Sequence, residues 1–351
     1  MTSSSIQDSQ DNRKYANNTY IETTLICAFS YVQSSMGSDQ FRSLRGSFVN
    51  IDLEADNDFY SQINYLKKQG LPVTYSNLQK VPRFNPCERN PSGGVNKTGM
   101  GSSAALITSL VGGILDFCCV DSSSWSDFTK IVHNTAQCCH SYAQGKIGSG
   151  FDVSAACYSS HVYTRFSPTI ISDLINKVTT EKGGLPSPKD LYDCVHSEAW
   201  DQTMKSIKLF GACRLITGDV CGGSDTPSMA RKVLKWQKEN EIRSSVDQAG
   251  KIGAGAATLW ERLIDANNSV TKTISDLCVL GDKPGAEELF SDLATLTFGQ
   301  WEKLCGDDGE DCIASSLCSL RAHFMKARKI LKEVSGSIHF TIKPFLPALS
   351  H

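Results

Sequence analysis

The sequence predicts an α+β fold divided into two domains. The chain has 351 residues, whereas single domains commonly run to ~100 to 200 residues. Apolar residues recur at helical spacing through most of the chain, and the short alternating runs typical of strands are few. An apolar fraction of 40% with 21% charged residues places the chain among ordinary globular proteins, so a disordered or fibrous class is excluded.

The first elements are predicted to be a helix, a strand and a second helix. Tyr20–Gln33 carries apolar residues at helical spacing, and Phe48–Leu53 has the character of a strand. Asn57–Lys68 is again helical and is ended by Gly70 and Pro72.

A loop and two helices follow. Proline and glycine dominate Val81–Gly94, which predicts a surface loop. Ser103–Cys119 is predicted to be a buried helix. The next helix runs to about Gln144, and either Ser124 or Ser126 caps its start.

The middle of the chain is predicted to contain a short helix, a strand and the domain boundary. Val153–Tyr158 indicates a helix, and His161–Phe166 alternates like a strand. We place the domain boundary after Pro168 because the loop-rich stretch Thr179–Ser197 soon follows.

The second half is predicted to be mainly helical. Ile207–Thr217 indicates strands, after which Thr226 and Pro227 have the residue types of a helix cap and first helical position. Helices continue to Val334, with breaks at Gly281–Pro284 and Gly306–Gly309.

Charge and hydropathy argue against nucleic acid and membrane partners. The formal net charge is −2, whereas a general nucleic-acid binder usually carries a basic face. Met1–Asn18 is polar and lacks the apolar core of a secretory signal, so we expect a disordered lead-in. Ala104–Val120 is the longest apolar stretch, but Asp116 interrupts it and it falls short of the ~20 residues that span a bilayer.

The fourteen cysteines are expected to be reduced core residues. None forms a Cys-x-x-Cys pair, and the adjacent pairs Cys118-Cys119 and Cys138-Cys139 lie within helical patterns. Cys138-Cys139-His140 resembles a metal cluster in composition, but neighbouring helical residues point about 100° apart and rarely converge on one ion. We therefore assign no metal to the cysteines.

The most informative segment joins a glycine- and serine-rich bend to the helix at Ser103–Cys119. Unpaired N–H groups and the positive end of a helix dipole converge at such a junction, which suits a phosphate. The segment consists of Lys97, Thr98, Gly99, Met100, Gly101, Ser102, Ser103, Ala104 and Ala105.

Other interpretations of this bend remain open. The Walker A pattern fails because Met100 stands where the lysine should be. Gly99 to Ala104 satisfies the dinucleotide form Gly-x-Gly-x-x-Gly/Ala, with Asp121 at about the expected distance, but the loop Asn85–Gly94 replaces the required strand. A capped helix start that binds no ligand is equally compatible with the local sequence.

A second constellation lies between two predicted helices. Lys146–Asp152 contains a cation, two glycines flanking Ser149, and a carboxylate within seven residues. Such a turn can present N–H groups, a hydroxyl and a charge to a phosphate. Alternatively, Lys146 is solvated, the glycines make the turn, and Asp152 caps the following helix.

In combination, the two constellations resemble the GHMP small-molecule kinases, and within them the eukaryotic-type phosphomevalonate kinase family. Further landmarks occur in the family's order over about Tyr20 to Lys329. They are Asn18–Glu22, Asn57–Gln62, Gly70–Pro72, Ala143–Lys146, Arg165–Pro168, Gly222–Met229 and Lys235–Lys238.

The resemblance implies a two-domain GHMP fold and ATP-dependent phosphorylation of 5-phosphomevalonate to 5-diphosphomevalonate in isoprenoid and sterol precursor synthesis. The expected ranges are a lead-in at 1–18, an S5-like ATP-binding domain at 19–168, and a helix-rich, ferredoxin-like domain at 169–351. Another GHMP kinase, such as one acting on mevalonate, and a noncatalytic fragment that binds nucleotide or a partner remain alternatives.

The resemblance also assigns roles to residues. Lys97 to Ala105 would hold the ATP phosphates, with Ser102 or Ser103 near Mg²⁺. Asp152 and Lys146 would be catalytic. The substrate-binding residues would be Ser149, Gly150, Ser224 and Thr226.

The chain departs from the family pattern at both ends. Family members begin with a strand segment that supplies a glycine and a lysine, and they end with a further glycine-rich motif. Neither occurs here, so the chain is expected to be a shortened product, an incomplete gene model or a degenerate copy. Asp225 replaces a serine near the proposed acceptor site. The last residues lack a peroxisomal Ser-Lys-Leu signal, which makes the cytoplasm the default compartment, with the peroxisome as the alternative.

Overall fold

A computed structural model describes most of the chain. The described residues are 18–36, 38–44, 49–88, 94–118, 120, 124–180, 186–211, 213–215, 231–239, 256–304 and 313–337. The predicted lead-in lies outside them except for Asn18.

The chain divides into two compact units, Met1–Ser206 and Ile207–His351. The residues between Pro168 and Ser206 pack with the first unit because the strand that ends at Ser206 pairs with a strand that precedes Pro168. The division into family domains at Pro168 stays a prediction.

The first unit consists of helices and one short antiparallel sheet of two strands that are distant in sequence. Its elements are α1 (Thr19–Ser35), α2 (Ser38–Leu44), a 3-10 turn (Asn57–Phe59), α3 (Ile63–Lys68), α4 (Tyr75–Leu78), α5 (Ser102–Phe117), α6 (Trp125–Gln144), α7 (Phe151–Tyr158), β1 (His161–Thr164), α8 (Thr169–Thr180), α9 (Pro188–Val195) and β2 (Thr203–Ser206). The described residues are thus helix-rich with a small sheet, which is compatible with the predicted α+β class.

Helix α6 is the centre of this unit. It packs against α1, α5, α7, α8 and α9. Every residue from Ile131 to Ser141 is buried. Cys27 of α1 and Cys138 and Cys139 of α6 belong to the same apolar core, as the sequence predicted for its cysteines.

The strands differ from the prediction. β1 pairs with β2 in antiparallel register, with His161 opposite Ser206 and Thr164 opposite Thr203. The predicted strand at Phe48–Leu53 is wrong over the described residues 49–53, which are irregular. Val49, Ile51 and Leu53 are exposed, and an alternating apolar pattern forms no strand without a neighbouring strand to pair with.

The predicted strands at Ile207–Thr217 are likewise wrong for residues 207–211 and 213–215. Extended pairing instead ends at Ser206, because its partner His161 is the first residue of β1.

The long helices were predicted well, and the short ones less so. The helices predicted at Tyr20–Gln33, Ser103–Cys119 and up to Gln144 correspond to α1, α5 and α6. Asn57–Lys68 is not one helix, because Tyr60 is extended and pairs with Lys97. The loop-rich stretch contains α9, whose Ser187 cap and first-position Pro188 are strong start signals.

The second unit is mainly helical over its described residues; 207–211 and 213–215 are irregular. It contains α10 (231–239), α11 (Ala256–Gly281), α12 (Ala286–Ala294), α13 (Phe298–Leu304) and α14 (Ile313–Ser337). The predicted break after Gly281 is confirmed, and Gly285 starts α12 with φ +81°. The predicted cap at Thr226 and the break at Gly306–Gly309 lie outside the described residues.

Helices α11 and α14 pack against each other. Leu277 and Phe290 lie in one core cluster, whereas Leu263 and Ile330 lie in another. Arg262 Nη1 and Glu333 Oε2 join the two helices at 3.0 Å. Among the described residues, no helix combines the length and the apolar character that crossing a bilayer requires.

Ser124, rather than Ser126, caps α6. Its side-chain oxygen accepts a hydrogen bond from the N–H of Asp127 at 3.2 Å. Because loss of such a cap costs ~1 kcal/mol, Ser124→Ala is expected to lower the free energy of unfolding by about that amount, measured by urea titration. The matched control is Ser126→Ala, which removes an exposed hydroxyl of the first turn and should leave stability nearly unchanged. Equal losses in the two variants would contradict this assignment.

Candidate functional site

The predicted phosphate bend forms the uncapped start of α5. Gly99 and Gly101 have φ values of +86° and +72°, a backbone region in which residues other than glycine are strained. No side chain caps the helix, and the first intrahelical bond runs from Ala105 N–H to Gly101 O at 3.0 Å. The preceding N–H groups of Ser102 and Ser103 therefore have no partner within the helix, and both residues are partly exposed.

The chain before the bend is held by the 3-10 turn. Thr98 donates its N–H to Phe59 O at 3.2 Å and its hydroxyl to Asp58 O at 2.5 Å. Tyr60 and Lys97 form an isolated antiparallel bridge. Residues 94–98 are thus tethered but form no strand, so the dinucleotide-binding interpretation lacks its required strand.

A pocket of about 530 Å³ opens in front of this helix start. Lys97, Ser102 and Ser103 line it together with residues that the sequence did not single out as a site. These further lining residues are Asn18, Tyr20, Leu53, Glu54, Ala55, Tyr60, Phe84, Asn85, Pro86, Cys87, Gly94, Val95 and Leu106. Most of them lie on irregular segments, which no periodic pattern in the sequence could have predicted to line a pocket.

The second constellation also ends in an uncapped helix start. Helix α7 begins at Phe151, and Gly150 before it has φ +75°. Lys146 and Ser149 are exposed. Arg165 Nη2 donates to Gly148 O at 2.7 Å, and the Tyr163 hydroxyl donates to Ser149 O at 3.3 Å. Side chains in β1 and directly after it therefore hold this turn by donating hydrogen bonds to its carbonyl groups.

Only glycine fits at position 150. Its carbonyl accepts a hydrogen bond from Gln137 Nε2 at 2.8 Å, and a Cβ there would lie 2.6 Å from Gln137 Oε1 and 2.8 Å from Phe166 Cε1. Gln137 Nε2 also lies 3.1 Å from His133 Nε2. The turn is thus seated on the buried polar side chains of α6.

The two constellations face each other. A Cβ on Gly101 would lie 3.5 Å from Asp152 Cβ. Beneath them, His140 Nε2 lies 3.4 Å from Ser103 Oγ and 4.0 Å from Asp152 Oδ2. Segments separated by about fifty residues of sequence therefore lie side by side, which brings helix N–H groups, hydroxyls and a carboxylate close together. The pocket in front of α5 is lined from this side by Ser102 and Ser103 and by no residue of 146–152.

Burial determines the charge state of the histidine at this junction. Desolvation lowers the pKa of His140, and nearby Lys146 lowers it further, whereas Asp152 opposes the shift. His140 is therefore neutral at neutral pH.

Other predicted site residues are exposed or lie outside the described residues. Lys97 is exposed at the pocket rim, and the side chain of Met100 is half exposed. Ser224 and Thr226, with the rest of Gly222–Met229, lie outside the described residues. Among the described residues, no group of three or more His, Cys, Asp or Glu side chains has the geometry of a metal site.

Comparison with known proteins finds phosphomevalonate kinases. The chain is 28% identical over 336 residues to a peroxisomal phosphomevalonate kinase of Arabidopsis thaliana, covering 90% of this chain and 63% of that protein. It is 35% identical over 233 residues to one of Aspergillus fumigatus, covering 64% and 44%. It is 33% identical over 285 residues to one of Gibberella zeae, covering 77% and 56%.

The chain therefore spans about half the length of the curated relatives it matches. No protein-family profile matches it. No solved structure matches it.

Gly150→Ala is expected to destabilise the first unit strongly. An alanine in this left-handed backbone conformation costs ~1 to 2 kcal/mol. Overpacking of its methyl group against Gln137 and Phe166 adds ~1 to 3 kcal/mol. Gly145→Ala is the matched control, because its φ is +65° but its Cβ would meet nothing within 4 Å. Urea unfolding should show the larger loss for position 150, and equal losses would contradict the close packing described here.

The buried His133 is expected to make stability depend on pH. Burial lowers its pKa from 6.5 to about 4, so below pH 6.5 the unfolded chain binds a proton that the folded chain does not. The free energy of unfolding should fall by up to ~1.4 kcal/mol per pH unit from this group as pH decreases from 6.5 towards 4. His133→Gln should show a smaller slope between pH 5 and 6, and the same slope as the parent above pH 7. Identical slopes at acidic pH would contradict the assignment.

Proposed function

We propose that this chain, which belongs to the eukaryotic-type phosphomevalonate kinase family, transfers the γ-phosphoryl group of ATP to 5-phosphomevalonate. The observation that carries the proposal is the close approach of the uncapped α5 start to Asp152, and we propose that the two border one cleft. Kinase chemistry needs such a cleft, because phosphoryl transfer depends on positioning and on offsetting negative charge.

The start of α5 would bind the ATP phosphates. Its unpaired N–H groups and the positive end of the helix dipole favour an anion, and the two left-handed glycines let the backbone approach it closely. Lys97 at the rim adds a positive charge. Tyr20 and Phe84 supply aromatic surface in the same pocket, which suits a nucleobase.

The donor types in the cleft fit Mg²⁺. The hydroxyls of Ser102 or Ser103 and the carboxylate of Asp152 are hard oxygen ligands, and a magnesium ion usually arrives bound to nucleotide phosphates rather than in an all-protein cage. When bound, the ion would neutralise charge on the β- and γ-phosphates.

The acceptor determines the role of Asp152. A phosphate monoester has a second pKa near ~6, so its attacking oxygen is already largely deprotonated at neutral pH. A general base would gain little, so Asp152 orients a cation instead. Lys146, which is exposed on the same turn, offsets repulsion between the two anionic reactants.

The acceptor would contact the turn at Ser149 and Gly150, and Ser224 and Thr226 are proposed to join it. The proposed fold is the two-domain GHMP architecture, with its ATP-binding part at 19–168 and its second part at 169–351. The proposed compartment is the cytoplasm; the peroxisome is the alternative because one relative is named as peroxisomal.

The proposal is tested by supplying the purified chain with ATP, Mg²⁺ and 5-phosphomevalonate, and in parallel with mevalonate. ADP release in the assay with 5-phosphomevalonate but not in the assay with mevalonate supports the proposal. Release with mevalonate alone would indicate another GHMP activity, and nucleotide binding without ADP release would indicate a noncatalytic protein.

Asp152→Ala is expected to lower kcat by ~10² to 10³ while changing ATP affinity far less, because the proposed role of the carboxylate is to orient a cation during transfer rather than to hold the nucleotide. Asp116→Ala is the matched control, since Asp116 lies exposed near the other end of α5. Turnover equal to that of the parent in the Asp152 variant would remove this residue from the mechanism.

A further inference from the structure

The bend at residues 82–85 places a strained aromatic residue in the wall of the pocket. Phe84 has φ +56°, a left-handed backbone conformation that is strained for a bulky residue, and it lines the pocket in front of α5. Such conformations persist only where the surrounding structure holds them, and they cluster at ligand-binding sites. The contacts that hold Phe84 therefore bear on what the pocket binds.

One side chain holds both ends of this bend. Asn57 Nδ2 donates to Pro82 O at 2.9 Å, and Asn57 Oδ1 accepts from the Asn85 N–H at 2.8 Å. This carbonyl and this N–H are the two groups that pair in a β-turn, in which Phe84 is the third residue. Because the Asn57 amide bonds to both groups, it fixes the bend from the distant 3-10 turn.

Gln62 connects the same bend to another part of the pocket wall. Gln62 is only 8% exposed, and its Oε1 accepts from Asn85 Nδ2 at 2.9 Å. Its Nε2 donates to Tyr60 O at 2.9 Å, and Tyr60 also lines the pocket. The bend therefore cannot move relative to Tyr60 without breaking hydrogen bonds of a buried side chain.

The ring of Phe84 has its own support. Arg83 Cζ lies 4.5 Å from the centroid of the ring, a distance at which a cation is attracted to an aromatic face. Arg83 itself does not line the pocket, so this contact holds the ring without filling the space that a ligand would occupy. Backbone and ring are thus both fixed by the protein alone.

We infer that Asn57 is a positioning residue that holds the Phe84 ring as a preformed wall for the base of a bound nucleotide. The inference rests on the nucleotide site of the proposed function. Aromatic side chains stack on nucleobases because every base has a flat π-face. A wall that is fixed in advance costs less conformational entropy on binding than one that the ligand must order. Without the Asn57 amide, the bend would relax from its strained conformation and carry the ring away.

Two ligands separate the base end of the pocket from its phosphate end. They are AMP-PNP with Mg²⁺ and tripolyphosphate with Mg²⁺, which has neither base nor sugar. Phe84→Asn removes the ring but keeps a residue type that tolerates a left-handed backbone. We expect Phe84→Asn to weaken AMP-PNP binding ~10-fold and Asn57→Ala at least ~3-fold, with tripolyphosphate binding within ~2-fold of the parent. Calorimetric titration measures each Kd.

Asn77→Ala is the matched control. Asn77 Nδ2 also donates to a proline carbonyl, Pro72 O at 3.0 Å, but the segment around Pro72 does not line the pocket. This variant should bind both ligands as the parent does. An equal loss of AMP-PNP binding in Asn77→Ala and Asn57→Ala would overturn the inference, because loosening any nearby loop would then have the same effect.

A double-mutant cycle tests whether Asn57 acts through the ring. If it does, Asn57→Ala combined with Phe84→Asn should bind AMP-PNP no more weakly than Phe84→Asn alone. Multiplying losses would overturn the inference, and so would an equal loss for tripolyphosphate. Thermal unfolding identifies a variant that misfolds. If Asn57→Ala does so, Asn57→Asp replaces it, because the aspartate keeps the acceptor for the Asn85 N–H and loses only the donor to Pro82 O.

Binding and turnover together distinguish failure of the inference from failure of the kinase proposal. AMP-PNP binding that depends on Asn57 and Phe84, in a chain that releases no ADP, supports the inference and refutes the kinase activity. ADP release by the parent, with AMP-PNP binding unchanged in either variant, overturns the inference and leaves the kinase proposal standing. A parent that binds no AMP-PNP overturns both.

Discussion

The hydrogen bond from Gln137 to the carbonyl of Gly150 is the constraint on which the arrangement of the cleft depends. It anchors the turn that carries Lys146 and Asp152 to the central helix α6. The same helix extends the polar connection through His133 and Asn134 to Val195 O at the end of α9. A buried amide left without its partner costs ~1 to 3 kcal/mol. This cost favours the one placement of the turn on α6 in which the bond from Gln137 to Gly150 is made.

Two helix starts of the same polarity meet at this anchor. The starts of α5 and α7 both follow a left-handed glycine, and neither has a side-chain cap. Placing two partial positive charges together is unfavourable unless an anion lies between them. Asp152 supplies one negative charge in the first turn of α7, and a bound phosphate would supply more.

The sequence predicted the long helices and the two glycine-rich bends because both have local signals. Helical periodicity located α1, α5 and α6. It did not reveal that α6 is central, since His133, Asn134 and Gln137 have the polarity of surface residues but are buried through bonds made to distant segments. The pocket wall around Phe84 and the contacts of His140 with Ser103 and Asp152 depend on the tertiary structure, which no residue spacing encodes.

The tether between the 3-10 turn and the phosphate bend has a mechanical consequence. Tyr60 and Lys97 are linked through their backbones, and both side chains border the same hollow. A displacement of residue 97 is therefore transmitted through the bridge to residue 60, so these two parts of the pocket wall move together. An anion that binds beside Lys97 would therefore also restrict the wall that contains Tyr60, so a ligand that reached only one of the two residues would still order both.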